Sequence, residues 1–135
     1  MNPTSDETCR VLSLVCAMQE RWDDAERLAR EAVELSHGGA YNTAGLGFVL
    51  ARLGRRAEAE AIWRDLESRG RSGYISPIAF ATIALGLGDQ ERALTHMEEA
   101  LAERRGWLAY LRVHPIVDPV RAHPRFKALL ERMKL

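Results

Sequence analysis

Apolar residues along this chain recur at helical spacing, and glycines or short polar stretches interrupt them at regular intervals. Residues 41–66, YNTAGLGFVLARLGRRAEAEAIWRDL, show the pattern most clearly. Leu46 and Gly47 fall in a first helix, Gly54 makes a turn, and Ala59, Trp63 and Leu66 line one face of a second helix at i, i+4, i+7. The segment therefore reads as a helical hairpin. Gly47 and Ala59 are expected to face each other and to let the two backbones approach to roughly 8–10 Å, while Trp63 fills the space that opens farther along.

The same pattern appears on both sides. Thr4 and Glu7 are spaced as a capping box, which predicts a helix over residues 5–19. Trp22 opens the next helix, Ala25, Ala29, Ala32 and Leu35 mark its buried stripe, and His37, Gly38 and Gly39 end it. The central hairpin follows with helices over 40–53 and 56–68, then a Gly- and Ser-containing connection over 70–73. A third hairpin begins with Ser76 as N-cap and Pro77 as the first helical residue, with Ile75 placed to staple onto Phe80. Its first helix runs to Leu87, Gly88 and Asp89 turn the chain, and Ala93, Met97 and Ala100 form the inner stripe of its second helix. Ala25, Ala59 and Ala93 stand 34 residues apart, as do Gly54 and Gly88. A fixed period of that length marks a repeat architecture.

Composition adds bounds to this picture. The 135 residues are 47% hydrophobic and 28% charged, which suits one globular domain. Nineteen basic residues balance nineteen acidic ones, so no overall field favours nucleic acid or an anionic membrane, and neither is expected as a partner. Cys9 and Cys16 are seven residues apart on one helix, about 10 Å of rise and beyond disulfide reach, so they read as small apolar residues of a reducing compartment. The first ten residues lack the apolar core of a signal peptide, and the most apolar run, residues 74–88, is shorter than the roughly 18 that a membrane span requires. A cytoplasmic protein is expected.

The residues of the middle hairpin carry a resemblance to the tetratricopeptide repeat family: Leu46 and Gly47 match its Leu-Gly pair, Gly54 its turn glycine, Ala59 its central alanine and Trp63 its aromatic. The first copy keeps Leu12 but has Ser13 for glycine and Glu20 for the turn glycine; the third has Phe80 and Ala81, then Gly88, Asp89, Ala93 and Ala100. His37, Arg71 and Arg105 stand where the family has its terminal proline. The resemblance implies an all-α fold, a short right-handed α-solenoid of three helical hairpins over about 6–39, 40–73 and 74–107, closed by C-terminal capping helices over 108–135. Trp107, Leu108, Tyr110 and Leu111 are expected to begin that cap. The tail does not continue the repeat; with its Trp-Leu, Asp-Pro and Pro-Arg-Phe elements it resembles the tails that close such regions in multidomain bacterial regulatory proteins. That implies a regulatory or assembly role.

Candidate chemistry is sparse. His114 and His123 each precede a proline and read as backbone-shaping residues, His123 at the entrance of the last helix; His96 falls where Leu28 and Ile62 stand in the other copies and reads as packing. No nucleophile, acid pair or phosphate loop accompanies them, so no metal, cofactor or catalytic residue is expected, a small metal protein or enzyme being the minor alternative. The family's clamp for a C-terminal carboxylate needs Lys, Asn and Arg where this chain has Val11, Gly45 and Ala79. What remains is a surface for protein or peptide. The first helix of each hairpin lines the concave side of such a solenoid, and Val11, Leu14 and Met18, then Tyr41, Phe48 and Arg52, then Ile78, Thr82 and Leu85 are expected to form an apolar groove for an amphipathic helix. That helix belongs to a partner protein or to a second copy of the chain.

Overall fold

The computed structural model describes residues 5–103 and 115–133, and all of the regular structure in them is helical. Six α-helices form three consecutive hairpins: α1 (Asp6–Met18) with α2 (Trp22–Leu35), α3 (Ala40–Arg52) with α4 (Arg56–Ser72), and α5 (Pro77–Leu87) with α6 (Gln90–Ala102). A 3-10 turn, Pro115–Val120, and a last helix, α7 (Pro124–Met133), follow. The architecture is an α-solenoid of helical hairpins, each packed on the next.

Local chemistry sets the ends of these helices. Ser5 caps α1 by accepting a hydrogen bond from the Thr8 amide at 3.1 Å, one residue later than the capping box expected at Thr4, which lies outside the described residues. Ser76 caps α5 with Pro77 in its first turn, as the sequence predicts. The turns within hairpins share one geometry: Gly54 and Gly88 are left-handed, with φ of 85° and 74°, and Glu20 holds the same place in the first hairpin at φ 61°. Helix α4 corrects the expected connection over 70–73, because it continues through Gly70 and Arg71 to Ser72. Arg69 and Arg71 in its last turn favour that extension by facing the negative end of the helix dipole. The chain then turns at Gly73.

Between hairpins, the core is built from the positions that the period marks. Ala25, Ala59 and Ala93 are each 0% exposed. The facing residue differs from copy to copy. Ser13 donates its hydroxyl to the Ala25 carbonyl at 2.7 Å, so the small polar side chain that replaces glycine is satisfied inside its own hairpin. Gly47 has Ile62 of α4 and Ile83 of α5 as its nearest side chains, one from each neighbouring helix. On the second-helix side, ion pairs join successive hairpins: Glu26 to Arg55 at 2.8 Å, Glu60 to Arg92 at 3.5 Å, and Glu98 to Arg125 of α7 at 2.7 Å. Glu26 and Glu98 are both held below the usual carboxylate range, Glu26 first by its bond from Arg30 and then by Arg55, Glu98 by Arg125. Such half-exposed pairs contribute little stability each but fix how one hairpin sits on the next.

The C-terminal segment departs from its expected independence of the repeat. Helices α2, α4, α6 and α7 start at Trp22, Arg56, Gln90 and Pro124, each 34 residues after the last. Arg56 donates to the Leu87 carbonyl at the end of α5, and Gln90, one period later, donates to the Pro119 carbonyl in the 3-10 turn. Val117, Val120, Phe126 and Leu129 are buried and Leu130 packs on the core, so the segment covers the third hairpin. Trp107, Leu108, Tyr110, Leu111 and His114 lie outside the described residues.

Candidate protein-binding face

The first helices of the hairpins carry almost no charge. Asp6, Glu7 and Arg10 in α1 and Arg52 in α3 are their only charged residues, and α5 has none. These helices face one another across two seams. Along the α1/α3 seam, Asn42 donates to Asp6 at 2.9 Å, and Arg10 lies beside Gly45. Farther along, the helices part. A cleft of about 420 Å³ opens there, lined by Ala17, Met18, Glu20, Trp22, Phe48 and Arg52, with Asp118 and Pro119 of the tail at its edge. The Arg52 guanidinium sits over the Trp22 ring, 5.8 Å from its centroid, within cation–π range.

The nine residues expected to line a groove separate into three groups. Val11, Met18 and Tyr41 are 50, 40 and 42% exposed, and Arg52 is exposed beside them. Leu14 and Thr82 are half-buried, Leu14 packing on the core and Thr82 donating its hydroxyl to the Ile78 carbonyl at 2.9 Å. Phe48, Ile78 and Leu85 are core residues, 2, 6 and 3% exposed, and this corrects the expectation of one continuous groove. The reason is the α3/α5 seam. A Cβ on Gly86 would lie 2.8 Å from the Phe48 carbonyl oxygen and 2.9 Å from its Cα, so these two helices meet backbone to backbone and close over their own side chains. Val120 of the tail and Leu85 line one narrow crevice. Phe48 contributes the floor of the α1/α3 cleft and nothing more of the open face.

Sequence reasoning missed Gly86 and the partners Trp22 and Pro119. Gly86 carries a fainter signal: a second glycine in the last turn of an apolar helix, beside the turn glycine Gly88, is not needed for the turn itself and marks a close approach. The tail's position has no such signal, because it depends on the fold of the third hairpin.

The histidines take structural places. His96 lies against Trp63 and Phe80, with ring centroids 5.5 and 5.0 Å away, and burial first of all pushes its pKa down. His123 sits at the entrance of α7 and accepts a bond from the Arg125 amide at 3.1 Å on Nδ1. Among the described residues no three His, Cys, Asp or Glu side chains are grouped to hold a metal, both cysteines are free and buried, and no helix is long and apolar enough to cross a membrane.

Comparison with known proteins agrees with this architecture. Residues 43–65, most of the central hairpin, match the family model described as tetratricopeptide repeat. No curated protein and no solved structure matches the chain. Repeats of this family are protein-interaction modules. The central hairpin of this chain thus matches a tetratricopeptide repeat, and it packs between two hairpins of the same period.

Proposed function

We propose that the chain is a non-enzymatic interaction scaffold that holds an amphipathic helix of a partner protein along the α1/α3 seam. The observation that carries this reading is the 420 Å³ cleft, where Met18, Trp22 and Phe48 supply an apolar lining beside the charged Glu20, Arg52 and Asp118. Val11, Leu14 and Tyr41 extend the apolar surface along the same two helices. A helix inserting side chains at i, i+3, i+4 and i+7 suits such a seam. Arg52 adds direction. Among the described residues its contact is with the Trp22 ring and not with a carboxylate, so a helix that borders its apolar stripe with an acidic residue pairs with it.

The test uses surface positions, since a charge at buried Phe48 would unfold the chain. Peptide-display selection against the wild-type protein should enrich helical sequences with an apolar stripe and a flanking acidic residue. The double variant Met18→Asp and Tyr41→Asp should lose those peptides while keeping its helical circular dichroism. Enrichment of extended or proline-rich peptides, or undiminished binding by the double variant, would refute this binding mode.

A further inference from the structure

The three hairpins differ most at the edge of α1 that has no preceding hairpin among the described residues. In α5, Phe80 and Ile83 are among the residues that meet the hairpin before them. The Phe80 ring lies 5.1 Å from that of Trp63 in α4, and Ile83 is the nearest side chain to Gly47 of α3. One period earlier, Leu46 and Val49 are also covered, at 8 and 0% exposure. One period earlier again stand Leu12 and Val15, which are 40 and 45% exposed. The period thus gives α1 the side chains of a stacking edge.

The other end of the array is finished differently. Helix α7 buries Phe126 and Leu129 and leaves Lys127, Ala128, Glu131 and Arg132 exposed, a polar outer face such as a terminal element of a solenoid needs. Among the described residues, head-to-tail stacking of a second copy would set its apolar edge against that charged one. The α1 edge is instead complementary to itself. From Thr8 to Gln19 its one charged residue is Arg10, which lies against Gly45 of α3.

We propose that α1 is a two-fold dimer interface, packing antiparallel on α1 of a second copy of this chain across Leu12 and Val15. An isologous contact uses one patch twice and closes, so it yields dimers and no filament. The antiparallel arrangement also sets the two helix dipoles head to tail. Three turns of helix bury less than the roughly 1,200 Å² that separates standard from weak interfaces, so the dimer dissociates in the micromolar range. This surface adjoins the helix-binding seam but uses different side chains, so the two readings fail separately.

Sedimentation equilibrium of the 135-residue chain, from low micromolar to several hundred micromolar, should show the mass rising from 15.2 kDa toward twice that value. Leu12→Asp with Val15→Asp should raise the dissociation constant about tenfold or more, with helical circular dichroism unchanged. A Tyr41→Asp variant, changed on α3 alone, should still dimerise. A Leu12→Cys variant, mildly oxidised, should give a covalent dimer and no higher species. A wild-type chain monomeric throughout, a Leu12→Asp and Val15→Asp chain that dimerises as tightly as wild type, or a ladder of larger oligomers would each overturn the proposal.

Discussion

The two seams between the first helices of the hairpins are built from the same repeat positions and end in opposite outcomes. At the α3/α5 seam, Gly86 meets the backbone of Phe48, and an added Cβ would sit 2.8 Å from the Phe48 oxygen. One period earlier, the place of Gly86 is held by Arg52 and that of Phe48 by Leu14. There the helices stay apart: an added Cβ on Gly45 would find its nearest neighbour, Arg10, at 3.9 Å. One seam becomes core and the other a cleft. A single small or large residue per repeat, placed where two parallel helices cross, decides which it is.

The sharpest way to break that contrast is Gly86→Ala. Alanine is the better helix former by about 1 kcal/mol. The new methyl would nevertheless strike backbone atoms that cannot rotate away, so α3 and α5 must separate. Overpacking of this kind costs about 1–3 kcal/mol, and the net change should be a loss of stability read in chemical denaturation. An unchanged or raised midpoint would show that the seam has slack and that glycine does not set its closeness.

The looser end can be tightened. Glu20 holds φ at 61° in the position where the other hairpins use Gly54 and Gly88. A non-glycine residue in this region is strained by about 1–2 kcal/mol, and glycine gives back part of that relief as chain entropy. Glu20→Gly should therefore raise stability by about 1 kcal/mol, or roughly 3–5 °C in melting midpoint. A fall in midpoint would mean that the Glu20 side chain, at the rim of the cleft, contributes more than its backbone strain costs.

Much of this could be read in the sequence, for identifiable reasons. The 34-residue period located all six hairpin helices, because Ala25, Ala59 and Ala93 report a crossing that only small residues tolerate. Ser76 and Pro77 gave the start of α5 because capping is local chemistry. The groove was less legible. Periodicity places Phe48, Ile78 and Leu85 on the concave side but cannot tell whether the next helix or the tail lies over them, which depends on Gly86 and on Val120. The register of α7 escaped notice because its buried residues, Phe126 and Leu129, do not copy the alanine stripe even though its start does keep the period.

Gly47→Ala gives a finer comparison within the tight region. A Cβ there would lie 3.2 Å from Ile83 Cγ1 and 3.3 Å from Ile62 Cγ2, both carbons of side chains that can shift by a few tenths of an ångström. The third hairpin already carries Ala81 at the matching place, buried at 2% exposure. The steric cost and the helix-propensity gain of about 1 kcal/mol should nearly cancel. Denaturation should place this variant within about 0.5 kcal/mol of wild type, far above Gly86→Ala. If the two variants lose equal stability, backbone contact is not what distinguishes the positions.

The effect expected to be smallest at neutral pH separates the seams by acid. Trp63, Phe80 and His96 pack where the second and third hairpins meet, while the same three places one period earlier are Ala29, Leu46 and Ile62, none of which titrates. Burial pushes the His96 pKa below its ordinary 6.5; Arg92 pushes it down further, while Glu99 and Glu67 partly oppose the shift. The unfolded chain, with its histidine near the ordinary value, then binds more protons than the folded one between the two pKa values. Stability contributed by neutral His96 is therefore complete above 6.5, declines as pH falls through that value, and stops declining below the lowered folded pKa. Denaturation midpoints of the wild type measured through this window should fall with pH. His96→Leu, which restores the kind of residue found at Leu28 and Ile62, should flatten that slope while leaving the fold intact. Equal slopes in the two proteins would assign the acid sensitivity to another group and leave the two seams alike in this respect.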